Sequence, residues 1–195
     1  MNTSSCISAN MANKPIEIAL SRAELRAVVA YAAACALPAL VIFEREHPGD
    51  PRPRAAIDAA QAFAEGAERT KLIRDCAWAA QRAAQDARDA GQAAASEAAR
   101  AALAAAGAAF LHPLAKATQV KHILGSAAHA ARALELSAGD AAHIGSGHIA
   151  KSRARAGMVV VDVLRRYPPG PPGGGRVGEL MRQLEALLRP EAGTG

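Results

Sequence analysis

The sequence predicts an all-α protein, a compact alanine-rich bundle of about seven helices closed by a C-terminal helix after a Pro/Gly linker. Composition is the first observation behind this: 52 of 195 residues are alanine, whereas Phe, Trp and Tyr together make up 3%. Alanine favours helix and adds almost no side-chain volume, so its faces let helix axes approach to roughly 8 Å and stability comes from many close backbone contacts. The second observation is apolar residues recurring every three or four positions in successive segments, and the third is helix punctuation at their ends.

The first 20 residues read as a flexible N-terminal segment, polar from Met1 to Lys14 and without the apolar core of a secretion signal; Met11 is a second candidate start. Ser21-Arg22-Ala23-Glu24 has capping-box spacing and should open the first helix. Ala27 to Phe43 carries no charge, which predicts a buried central helix rather than a membrane span, and Pro38 should kink or divide it. Asp50-Pro51 reads as N-cap and first helical residue of a second helix that stops near Gly66.

From Glu68 to Phe110 two helices are expected, broken near Gly91, with Leu72, Cys76, Ala80, Ala83 and Ala87 inward and Trp78 as a core anchor. His112-Pro113 interrupts the pattern, which resumes over Thr118 to Leu136. Asp140 to Arg166 should form one more helical stretch, loosened by Gly145 and Gly147. The helical domain therefore spans 21–167, followed by a surface linker at 168–176 and an amphipathic helix at 177–189 striped by Val177, Leu180, Met181, Leu184, Leu187 and Leu188. A helix this short is marginal alone, so it must dock on its own domain or seal a homodimer.

The formal charge is +5 and the pI about 9.5, but the distribution is polarised. Residues 44–68 hold six acids and three arginines, whereas residues 112–166 hold eight Lys or Arg and three acids. Cys6, Cys35 and Cys76 are odd in number and far apart, which predicts reduced thiols and a cytoplasmic location. With so few aromatics to stack bases, and no membrane span, nucleic acid and lipid are poor partners. No HExxH or comparable ligand spacing occurs, the Gly145 to Ser152 run lacks phosphate-loop spacing, and no metal or cofactor is expected.

Candidate binding residues lie in two places. The turn from Phe43 to Asp58 crowds Glu44, Glu46, Asp50, Arg52 and Arg54 together, with Arg54 able to pair with Asp58 four residues on. His122 and His129 share one helix face, with His112 just ahead of them.

Three blocks carry a family resemblance: Leu37-Pro38 through Phe43-Glu44 to Asp50-Pro51-Arg52-Pro53-Arg54-Ala55-Ala56-Ile57; His112-Pro113-Leu114-Ala115 through His122-Ile123-Leu124-Gly125; and Val163-Leu164-Arg165-Arg166-Tyr167-Pro168. Together, over roughly residues 20–189, they resemble the immunity proteins associated with bacterial polymorphic toxin systems, specifically the immunity-five-like group. The resemblance implies an all-helical cytoplasmic protein that binds and neutralises a cognate toxin. It brings no catalytic residue set. The positions matching the group's polar motif are Glu44, Asp50, Arg52, Arg54, His112 and His122, and His129 stands where the pattern leads one to expect an aromatic.

Two functions follow as expectations. One is a toxin-occluding interaction protein, for which charge complementarity sets encounter rate and partner choice. The alternative is a small-molecule enzyme or binder in which the 43–58 acids and the three histidines converge on one inter-helix pocket, sharing proton transfer while Arg52 or Arg54 holds an anion. Mutual distance between Glu44 and the histidines decides whether that pocket exists.

Overall fold

A computed structural model describes residues 16–189, and Cys6 and Met11 lie outside the described residues. Eight α-helices are present there: α1 (Arg22–Glu46), α2 (Arg52–Ala64), α3 (Lys71–Asp89), α4 (Ala93–Gly107), α5 (Val120–Ser137), α6 (Ala142–Arg155), α7 (Met158–Arg165) and α8 (Gly175–Leu188). The all-α expectation holds.

The capping box at Ser21 is formed: its hydroxyl accepts from the Glu24 N–H at 3.2 Å and the Glu24 carboxylate accepts from the Ser21 N–H at 2.7 Å. The helix it opens runs unbroken for 25 residues, so Pro38 does not divide it. Proline removes one intrahelical bond, but residues on both sides, Ala32, Ala33, Cys35 and Ala36 before it and Ala39, Leu40, Ile42 and Phe43 after it, contribute to the same core, which holds the helix through that point. This helix is long and apolar enough to cross a membrane by length and composition, yet 61% of its most apolar window is buried inside the protein.

α4 shows what the alanines do: Ala95, Ala98, Ala99, Ala101, Ala102, Ala105 and Ala106 are all buried between α3 on one side and α1 and α5 on the other. α5 in turn packs against α1, α4, α6 and α8.

Several expected details shift. α2 begins at Arg52 rather than Pro51, although Asp50 still accepts the Arg52 N–H at 3.0 Å. The inward stripe of α3 starts at Ile73 and Ala77, not Leu72 and Cys76, and Leu72 is exposed. Trp78 is not a core anchor; it is 60% exposed, three residues after Asp75 and four before Arg82 on the charged face of α3. The expected 140–166 stretch is two helices, separated at Ala156-Gly157. Residues 16–20, read as part of the flexible segment, are tied down: the Ile18 N–H donates to the Pro113 carbonyl at 2.9 Å and Glu17 forms an antiparallel bridge with Leu114.

α8 starts two residues earlier than expected, and its stripe is spent within the chain. Leu180, Met181, Leu184 and Leu188 are buried where α8 packs on α5 and α6, which leaves only Leu187 of the stripe exposed, at 40%, and too little for a dimer seal. The docking is locked by a buried charge. Glu135 of α5 is fully buried, and Arg176 of α8 reaches it through Nη2 at 2.7 Å and Nε at 3.2 Å, while Arg132 adds a bond at 3.0 Å. Gly145 of α6 makes room for this carboxylate: a Cβ there would stand 2.2 Å from Glu135 Oε1. The glycine read as a loosening element is thus a space requirement.

A second tie joins the start of α1 to the end of α7. Arg166 donates to the Glu24 carboxylate at 2.5 Å and to the Ala19 carbonyl at 2.7 Å. The Arg166 hydrogen bond, with those from Ser21, holds the Glu24 carboxyl down to about 2 against an ordinary 4.5. A carboxyl depressed in the folded state stabilises above its unfolded pKa and loses that contribution as pH falls towards its folded one. Glu24→Gln should therefore lower the melting temperature at neutral pH, with the gap from wild type closing between pH 4.5 and about 2. A gap unchanged across that window in parallel thermal melts would rule out the charge as its source.

Candidate functional site

The turn after α1 is an ion network closed on itself. Arg54 Nε meets Glu44 Oε1 at 2.5 Å rather than pairing with Asp58, Arg45 meets Glu46 at 3.4 Å, and Arg52 grips Asp50 at 2.6 Å and Asp86 of α3 at 2.8 Å. The Arg52 hydrogen bond holds the Asp50 carboxyl below the usual carboxylate range, and the His47 ring stacks on Phe43 with centroids 4.6 Å apart. These charges fix α1, α2 and α3 relative to one another. None of the three principal clefts is lined by them.

His122 and His129 do share a cleft, of about 610 Å³, between α4, α5, α8 and the Pro/Gly linker. His129 Nδ1 lies 2.6 Å from Glu97 Oε2, and Arg100 stands 3.9 Å from the other Glu97 oxygen. His122 Nδ1 donates to the Gly107 carbonyl at 2.9 Å, and burial pushes this imidazole below its ordinary pKa, so at neutral pH it is uncharged with Nε2 free to accept. Leu103, Val177 and Met181 supply apolar lining, and Pro171 to Gly174 form a wall. That wall is anchored: the Gly170 N–H donates to the Glu185 carboxylate at 3.0 Å, and Arg182 donates to the Gly173 carbonyl at 2.7 Å.

The single pocket uniting acids and histidines does not form. Arg45, next to Glu44, reaches the Ser137 hydroxyl at 3.4 Å. Ser137 lies fifteen residues beyond His122 on the same helix, about 22 Å along its axis, so Glu44 and His122 sit at opposite ends of α5.

His112 faces elsewhere, on the rim of a cleft of about 830 Å³ lined by Arg69, Thr70, Lys71, Arg74, Phe110 and Leu111 to Pro113. Its carbonyl accepts from the Tyr167 hydroxyl at 2.8 Å, which ties the third sequence block to the second. Arg69 and Arg74 lie over the Phe110 ring, 5.8 and 5.0 Å from its centroid, and Arg69 also donates to the Ala109 carbonyl at 3.0 Å. Sequence reasoning missed Glu97, Arg100, Arg69 and Arg74. The first two were detectable as the only charged side chains in the alanine-rich α4. Among the described residues, no three His, Cys, Asp or Glu side chains converge to hold a metal ion.

The model of the family described as Imm-5 like putative immunity protein matches residues 19–155. The chain belongs to that family. In this Imm-5 like protein the match spans α1 to α6 and includes Glu44, Glu46, Asp50, Arg52, Arg54, His112, His122 and His129. It ends before the Val163 to Pro168 block, so α7, the linker and α8 lie outside it. No curated protein and no solved structure matches the chain significantly.

Proposed function

We propose that this Imm-5 like protein acts in the cytoplasm by binding a cognate protein toxin and neutralising it through occlusion. The observation that carries the reading is the family match over 19–155, which takes in the cationic cleft beside α3 and the α4 and α5 side of the His122/His129 cleft. Rigidity supports it: the turn charges, Glu135 and Glu24 are all spent on holding helices in place, which leaves a preformed surface to present to a partner. No membrane or nucleic acid enters this reading.

The test is co-expression in a bacterial host with the toxin encoded by the neighbouring gene. Restored growth, together with co-purification of the two proteins in constant ratio, is the expected result. Absence of rescue with every neighbouring product, at confirmed expression, would refute the reading.

One observation favours a second function, a small-molecule binder or acid–base enzyme in the 610 Å³ cleft: the 2.6 Å contact that orients His129 against Glu97, with Arg100 and Lys121 nearby to hold an anion. Its residues are Glu97, His122 and His129, without the 43–58 acids. Glu97→Gln and His129→Ala should leave toxin rescue intact if the cleft serves that separate role, and abolish it if the cleft is the toxin contact.

A further inference from the structure

The cleft beside α3 has only basic ionisable groups along its lining, Arg69, Lys71, Arg74 and His112, and the smaller cleft that shares Arg69 adds Arg22 and no acid. Ten of the other sixteen arginines meet a carboxylate, as Arg22 meets Glu68, Arg54 meets Glu44 and Arg176 meets Glu135. Among the described residues, neither Arg69 nor Arg74 has a carboxylate within ion-pair distance. Lys71 does meet Asp75 at 3.1 Å, but the two side chains are 84% and 51% exposed, a pair weak enough to exchange for a better ligand.

The unpaired guanidiniums are also held in place. Both lie over Phe110, and Arg69 is further fixed by the Ala109 carbonyl. A cation stacked on a ring keeps its outward N–H groups available while losing conformational freedom in advance, so less is lost on binding. In a concavity, like charges focus field outward and steer an oppositely charged visitor.

The chemistry of that visitor follows from Phe110. Single-stranded nucleic acid would need an open aromatic face for base stacking, and the face of this ring is taken by guanidiniums. Carboxylates need no stacking platform, and a guanidinium binds them through paired, charge-assisted hydrogen bonds. We infer that the Arg69/Lys71/Arg74/His112 cleft docks an acidic segment of a protein partner, two or more Asp or Glu side chains entering between α3 and the 110–113 segment. Identifying that partner as the toxin rests on the toxin-binding reading above; the acidic chemistry does not.

The probe is a fluorescein-labelled oligoglutamate peptide, with binding to the full chain followed by anisotropy at low ionic strength. Wild type should bind, with affinity falling steeply as salt rises. Arg69→Ala/Arg74→Ala should weaken binding at least about tenfold, whereas Arg82→Ala, which removes another exposed α3 arginine away from the cleft, should leave it unchanged. Absence of peptide binding, equal binding by the Arg69/Arg74 variant, or tighter binding of a single-stranded oligonucleotide would each overturn the inference. Should the double variant lose its helical circular dichroism, peptide-induced NMR shifts in wild type decide instead: they must fall at residues 69–74 and 110–112, and shifts confined elsewhere refute the site. A wild type that binds the peptide but forms no toxin complex would sink only the toxin reading. A toxin complex formed equally well by Arg69→Ala/Arg74→Ala would sink only the assignment of this cleft to it.

Discussion

Arg176→Met should destabilise the protein by about 1–3 kcal/mol in urea unfolding, because it takes the main partner from a fully buried carboxylate. Arg132 would remain bonded to Glu135, but it also pairs with Asp140, and one shared guanidinium cannot replace the two Nη2 and Nε contacts that Arg176 supplies. Removing both charges tests the mechanism. Glu135→Met/Arg176→Met replaces the ion pair with apolar volume and should be clearly more stable than Arg176→Met alone. If instead the two losses add, the buried pair is not what holds α8 to α5.

Gly145→Ala should also destabilise, by about 1–3 kcal/mol, and its sign is what makes it informative. At an unconstrained helix position the same change stabilises by roughly 0.5–1 kcal/mol, because glycine loses more conformational freedom on folding than alanine. At Gly145 the new methyl would stand 2.2 Å from Glu135 Oε1 and 2.5 Å from its Cδ, atoms that the two arginines hold in place. Gly147 sits two residues past it on the same helix with nothing within 4 Å, so Gly147→Ala serves as the stabilising control. The cost at Gly145 should shrink in a Glu135→Ala background. A stabilising Gly145→Ala would mean that Glu135 can move aside at little cost.

Much of this architecture was legible because it depends on local chemistry. Ser21 and Glu24 form their box because both partners lie within one turn, and the chain turns at Gly91, which adopts a φ of +75°. What sequence could not supply were partners from distant elements. Arg54 had two candidate acids, and its nearer neighbour in sequence lost to Glu44 on another helix. Gly145 looked like a loosening element, and Glu135 drew no reading of its own, until α8 brought Arg176 against them. Trp78 was misplaced by residue type, although its spacing from Asp75 and Arg82 marked it as outward. The site divided for the same reason: the 43–58 side meets α5 at Ser137 through Arg45, about 22 Å along the helix axis from His122.

The most direct test of neutralisation by binding is stoichiometry. Purified toxin titrated with increasing amounts of this protein should lose activity in proportion and reach zero at equimolar addition, with no dependence on preincubation time once equilibrium is reached. Full inactivation by a small fraction of an equivalent, deepening with time, would mean that the protein destroys or modifies its target catalytically. That result would contradict occlusion.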